Sequence, residues 1–82
     1  MKMIDMGSKR GVKALQLYLS PQEAGQFRKE LDRLLLDPEA NDHSHIDFGG
    51  NSELSFSILT DKKLGNLNAY SKIEREVLAD QE

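Results

Sequence analysis

The sequence lacks cysteine, and it has neither a long apolar run nor an excess of basic residues. Without cysteine, a disulfide framework, a thiolate zinc site and a cysteine nucleophile are excluded, and a cytoplasmic location is favoured. No apolar run follows Lys2, so we expect no signal peptide, and none approaches the ~20 residues that span a bilayer. The net charge of −3 argues against a nucleic-acid surface and permits a basic protein partner.

The length of 82 residues, with 38% apolar and 30% charged side chains, predicts one globular domain over residues 1–82. Alternating apolar residues in the stretch MKMIDM leave two interpretations of residues 1–11. They are either a flexible leader or an edge strand that ends in a turn.

A strand followed at once by a helix organises the rest of the chain. Alternating leucines predict a strand over Val12–Leu19. The motif Ser-Pro-Gln-Glu at residues 20–23 then predicts a capped helix start, because serine and glutamate side chains can satisfy each other's backbone N–H groups. We expect this helix to run from Pro21 to Leu36, with an inward apolar stripe formed by Ala24, Phe27, Leu31, Leu34 and Leu35. On its outer face, Glu30 and Arg33 should form a favourable pair.

Two further alternating segments predict a β-hairpin. Strands over His43–Phe48 and Glu53–Leu59 flank a turn at residues 49–52, with Ser44, Ile46, Phe48, Leu54, Phe56 and Ile58 pointing inward. A second Ser-x-x-Glu box at Ser71 predicts a short helix over Lys72–Ala79.

These elements predict an α+β fold in β-α-β-β-α order. We expect a three-stranded antiparallel sheet in the order first-third-second, or a four-stranded one if residues 1–11 add an edge strand. The main helix covers one face through a right-handed crossover, and the other face is polar.

The densest group of chemically versatile residues is His43, His45 and Asp47. Two imidazoles at positions i and i+2 of a strand share a face, so with a carboxylate they could hold a metal ion. Because the site is open, we predict solvent-facing histidines instead, with no metal or other cofactor. Nearby serines lack a nucleophile elbow, so we predict no enzymatic activity.

The polar sheet face is the predicted interaction surface. Tyr18 is the one aromatic residue expected to point outward from a confident strand, which makes it the best anchor for a protein partner. His45, Asp47 and Glu53 would surround it.

Three segments together resemble a family of small bacterial proteins: LYLSPQEAGQFRKELDRLL, DHSHIDF and, after a glycine turn, SELSFSIL. The shared pattern is a Ser-Pro-x-Glu helix start, Asp-His-x-His-Ile-Asp and Glu-Leu-Ser. Some of these proteins are grouped with the immunity proteins of polymorphic toxin systems. The resemblance covers about Leu15–Leu59, with a similar C-terminal segment, and excludes residues 1–11.

The resemblance implies inhibition of a toxin by direct binding, with no catalytic residue to carry over. Two alternatives stay open at this point. One is a metal-binding or metal-dependent protein that uses His43, His45 and Asp47, and the other is a structural homodimer.

Overall fold

A computed structural model describes residues 1–47 and 52–80 of the chain. In these residues the elements are β1 (Met3–Asp5), β2 (Arg10–Val12), α1 (Pro21–Leu35), β3 (Ser44–Ile46), β4 (Leu54–Phe56), α2 (Asp61–Leu64), a 3₁₀ helix (Leu67–Ala69) and α3 (Lys72–Ala79). The chain divides into two compact units, Met1–Leu17 with Asp61–Glu82, and Tyr18–Thr60. The prediction of a single domain stays a prediction.

Both predicted helices begin at the serines expected to cap them. Ser20 Oγ accepts from the Glu23 backbone N–H at 3.1 Å, and the Ser20 N–H donates to Glu23 Oε1 at 2.9 Å. Ser71 and Glu74 form the same reciprocal pair at the start of α3. These bonds satisfy donors that the first turn of a helix leaves without an intrahelical acceptor. Helix α1 ends one residue earlier than predicted, and α3 has the predicted bounds.

The second unit, Tyr18–Thr60, is built from α1 and the antiparallel pair β3–β4. Its ladder pairs Ser44 with Phe56, His45 with Ser55, and Ile46 with Leu54. The predicted alternation is confirmed, since Ser44 and Ile46 are buried, Leu54 and Phe56 are half-buried, and His45 and Ser55 are exposed. Both strands are shorter than predicted. Phe48 and residues 49–51 of the turn predicted at residues 49–52 lie outside the described residues.

A small apolar core joins α1 to this hairpin. Leu34 of α1 and Ile46 of β3 are buried, and the rings of Phe27 and Phe56 meet edge to face with centroids 4.7 Å apart. The predicted inward stripe was too wide, because Ala24 and Leu35 are exposed. A two-stranded sheet is narrow, so it covers only part of the helix surface.

The first unit contains a local hairpin, β1–β2, that packs with α3. Met3 pairs with Val12 and Asp5 with Arg10. The carboxylate of Asp5 accepts from the Ser8 hydroxyl and the Gly7 N–H, which closes the turn and lowers the pKa of Asp5. Lys9 has a left-handed φ of 58° in this turn.

Contacts with α3 complete the first unit. Gly11 lies against Val77, where a Cβ atom would approach the valine methyl to 3.4 Å. Lys13 forms an ion pair with Asp80 at 2.7 Å, and Lys2 donates to the backbone carbonyl of Asp80. These bonds tie the N-terminal hairpin to the end of the last helix.

The predicted strand over Val12–Leu19 is wrong. Residues 14–20 belong to no helix or strand, Val12 pairs with Met3, and the described residues form two separate two-stranded sheets in place of a three-stranded one. Alternation defines which side chains share a face, but it does not define the partner strand. A partner a few residues away along the chain costs less loop-closure entropy than a distant one.

In the described residues, no helix combines the length and apolarity needed to cross a membrane.

The aromatic contact leads to a stability prediction. Phe56→Ala should lower the free energy of unfolding by about 2–3 kcal/mol, below the about 3–5 kcal/mol of a fully buried phenylalanine, since Phe56 is half-buried. A double-mutant cycle with Phe27→Ala should show a coupling of about 0.5–1.5 kcal/mol. Urea denaturation measures both values.

The control for this cycle is Leu36→Ala, because Leu36 is 87% exposed. It should change the free energy of unfolding by no more than about 0.5 kcal/mol. Additive effects of the two phenylalanine substitutions would contradict the ring contact.

Candidate functional site

A polar network connects α1 to the start of β3. Ser44 is buried beneath the helix, and its hydroxyl donates to Glu30 Oε2 at 2.8 Å while accepting from the Arg33 guanidinium. The other oxygen of Glu30 accepts from the Gln26 side-chain amide at 3.1 Å. The buried hydroxyl therefore has both a donor and an acceptor, which offsets the cost of removing it from water.

Arg33 is the centre of this network. It donates to Glu30 at 2.9 Å, to Asp42 at 2.7 Å and to the backbone carbonyl of His43 at 3.3 Å. The carboxylate of Asp42 in turn accepts from the His43 N–H at 2.8 Å. The planar guanidinium offers five N–H donors, so one side chain can fix several groups at once.

The pKa values of the network follow from these bonds. The hydrogen bond from Arg33 lowers the pKa of Glu30, and the Ser44 hydroxyl lowers it further. Arg33 also lowers the pKa of Asp42, with help from the His43 N–H. Conversely, Glu30 and then Asp42 raise the pKa of Arg33. All three groups are thus held in their charged forms. The hydrogen bonds to the carbonyl and from the N–H of His43 also fix the backbone at that residue.

On the opposite, exposed side of the hairpin lies a histidine pair. His45 Nδ1 is 2.7 Å from Glu53 Oε1, and the His43 and His45 rings meet edge to face with centroids 4.7 Å apart. A carboxylate only accepts hydrogen bonds, so Nδ1 of His45 carries the proton. The structure therefore brings together three of the predicted residues, His43, His45 and Glu53.

The remaining predicted residues are placed differently. Asp47 follows β3 and is exposed. Tyr18 is 89% exposed, as expected of an anchor, but it lies outside any strand and does not share a sheet with His45. The polar face that was predicted to unite these residues is therefore not formed as one sheet surface.

The cluster does not assemble a nucleophilic triad or a metal centre of three ligands. Ser55 is opposite His45 in the ladder, but no hydrogen bond joins their side chains. Within residues 1–47 and 52–80, no group of three or more His, Asp or Glu side chains is placed to hold a metal ion.

Sequence reasoning missed most of the Arg33 network. The Glu30–Arg33 pair was expected from its spacing and is confirmed, whereas the bonds to Asp42 and Ser44 were not foreseen. One signal was available. Ser44 was the only polar residue predicted to point into the core, and a buried hydroxyl needs partners from the element that covers it.

Comparisons with protein-family models, curated proteins and solved structures gave no match to this chain. The resemblance to immunity proteins therefore stays a prediction.

The lowered pKa of Glu30 predicts acid sensitivity. Because this pKa lies below that of an unfolded glutamate, about 4.3, the stabilisation is complete above about pH 4.3. It is lost as the pH falls through the folded-state pKa. In Glu30→Gln, the difference in the free energy of unfolding between pH 7 and pH 3 should be smaller than in the unmodified chain.

Asp32→Asn is the matched control, since it removes an exposed carboxylate of the same helix. Urea denaturation at the two pH values should show the same difference for this control as for the unmodified chain. If Glu30→Gln also leaves the difference unchanged, the Arg33–Glu30 bond does not contribute to folding.

Proposed function

We propose that this chain is a non-enzymatic protein-binding domain that acts as an immunity protein, neutralising a bacterial toxin by direct binding. The observation that carries the proposal is the exposure of Tyr18. Tyr18 is 89% exposed and lies two residues before Ser20, the N-cap of α1. We place the encounter in the cytoplasm, in keeping with a cysteine-free sequence.

Tyr18 has the physical properties of an interface anchor. Tyrosine buries a large apolar area at a low cost in side-chain entropy, and its hydroxyl can still find a polar partner. Tyrosine is accordingly enriched among the residues that contribute most to binding energy. Leu19, the next residue, is also exposed and adds apolar area beside the ring.

The reciprocal bonds at Ser20 hold the chain immediately after these two residues. Ser20 has an extended backbone and bonds Glu23 through both its side chain and its N–H. An anchor attached to a fixed point loses less freedom on binding than one on a loose segment, which favours affinity.

Charge favours a basic partner. The chain has a net charge of −3, and two of its acidic residues, Asp47 and Glu53, are exposed beside the hairpin strands. Such charges speed association with a basic surface more than they strengthen the final complex. Many toxin domains that act on nucleic acids would present such a surface, because phosphate recognition needs lysine and arginine.

The proposed experiment uses the protein encoded beside this chain as the partner. Tyr18→Ala should leave the fold intact and weaken the complex by about 2 kcal/mol or more, about 30-fold in Kd, because it removes the anchor. Calorimetry with the purified pair measures Kd, and circular dichroism checks the fold. Coexpression should protect cells from the toxin with the unmodified chain and fail with Tyr18→Ala.

Two variants serve as controls. Lys29→Ala removes an exposed charge from α1, and Leu36→Ala removes exposed apolar area at the end of that helix. Both should bind like the unmodified chain. If Tyr18→Ala binds as tightly as they do, the interface lies elsewhere. If the neighbouring protein does not bind and size-exclusion chromatography shows a stable dimer, the homodimer alternative replaces the proposal.

A further inference from the structure

The two histidines of the second unit are the only histidines in the chain, and they are held side by side. The backbone of His43 is fixed on both sides, since its carbonyl accepts from Arg33 and its N–H donates to Asp42. His45 is fixed by its place in the β3–β4 ladder opposite Ser55. The side chains of both residues remain exposed.

Glu53 determines which ring nitrogen of His45 can bind a metal ion. Its carboxylate accepts a hydrogen bond from Nδ1–H at 2.7 Å, so in the neutral imidazole Nε2 carries the lone pair. A histidine that donates one ring N–H to a carboxylate while the other nitrogen stays free has the arrangement of metal-binding histidines. In those sites, the carboxylate orients the ring and raises the basicity of the ligand nitrogen.

The separation of the rings suits a shared ion. With zinc–nitrogen bonds of about 2.0–2.1 Å and tetrahedral angles, two ligating imidazoles have centroids about 5 Å apart. The observed centroid distance is 4.7 Å, with the ring planes nearly perpendicular at 81°. The observed ring separation is therefore close to that of two imidazoles that bind one ion.

Although the sequence alone predicted no bound metal, the geometry of the rings and of Glu53 leads us to propose that His43 and His45 together bind one Zn²⁺ or a similar borderline divalent ion, with Glu53 as the orienting carboxylate. Imidazole nitrogen suits zinc, copper and nickel, whereas magnesium and calcium prefer oxygen ligands. The site is separate from the proposed anchor Tyr18 and does not depend on the proposed function.

Two protein ligands make an open site. No third His, Asp or Glu of the described residues completes it, so water occupies the other coordination positions. The bound ion is therefore exchangeable and held less tightly than in a closed four-ligand site. The same open positions can accept a ligand atom from another molecule.

The test is a calorimetric titration of the full 82-residue chain with ZnCl₂, and in parallel with MgCl₂, at pH 7.5. Zinc should bind with a stoichiometry near one ion per chain, and magnesium should give no saturable heat. His43→Ala and His45→Ala should each abolish zinc binding. Glu53→Gln should weaken it about tenfold or more, as loss of an orienting carboxylate does in other sites.

Ser55→Ala is the matched control, because Ser55 is the ladder neighbour of His45 and contributes no nitrogen ligand. It should bind zinc like the unmodified chain. Circular dichroism of each variant shows whether the fold is retained, and the histidine ring signals in NMR should shift on addition of zinc.

Three results would overturn the proposal. One is the absence of saturable zinc binding up to millimolar concentration, and another is unchanged binding in the His43→Ala/His45→Ala double variant. Because the chain has no cysteine and no other histidine, the second result would mean that carboxylates bind the ion. The third is a loss in Ser55→Ala equal to that in Glu53→Gln.

Discussion

The guanidinium of Arg33 is the interaction on which the second unit depends. It connects α1 to the segment that enters β3, and it holds charged Glu30 and Asp42 beside a buried serine hydroxyl. Without Arg33, both carboxylates and the hydroxyl would lose a donor. Removing one member of such a network costs more than the bond itself, because the polar groups left behind stay desolvated. The network also fixes the backbone at His43, so it positions the exposed histidine pair on the other side of the hairpin.

This dependence on polar bonds reflects how little apolar surface is buried. In the described residues, the buried hydrophobic side chains are Leu34 and Ile46, supported by the half-buried contact of Phe27 with Phe56. Small chains bury a low fraction of their surface, so hydrogen bonds and helix caps become a larger share of what holds the fold. Large apolar residues left exposed, Tyr18 and Leu36 among them, are correspondingly available to a partner.

Features set by nearby residues could be predicted from the sequence, and features set by distant ones could not. The two capping boxes, the helix over Lys72–Ala79 and the inward and outward faces of β3–β4 each depend on patterns within a few residues. The partner of the leucine-rich segment was mispredicted, because alternation contains no information about which strand lies beside it. The links from Arg33 to Asp42 and Ser44 depend on how α1 lies over β3, which no local pattern encodes. Of the candidate site, the exposure of Tyr18 and the grouping of His43 with His45 were expected, and the bond from His45 to Glu53 was not.

The division of the chain has a consequence for the order in which it folds. The second unit is continuous in sequence, from Tyr18 to Thr60, whereas the first combines the N-terminal hairpin, which ends at Val12, with a helix that begins at Lys72. The contacts within the continuous unit close shorter loops than those between the N-terminal hairpin and α3, so they cost less chain entropy to form. The ion pair between Lys13 and Asp80 must wait for the last helix. We therefore expect the unit that contains Tyr18 and the two histidines to form before the N-terminal hairpin meets the last helix.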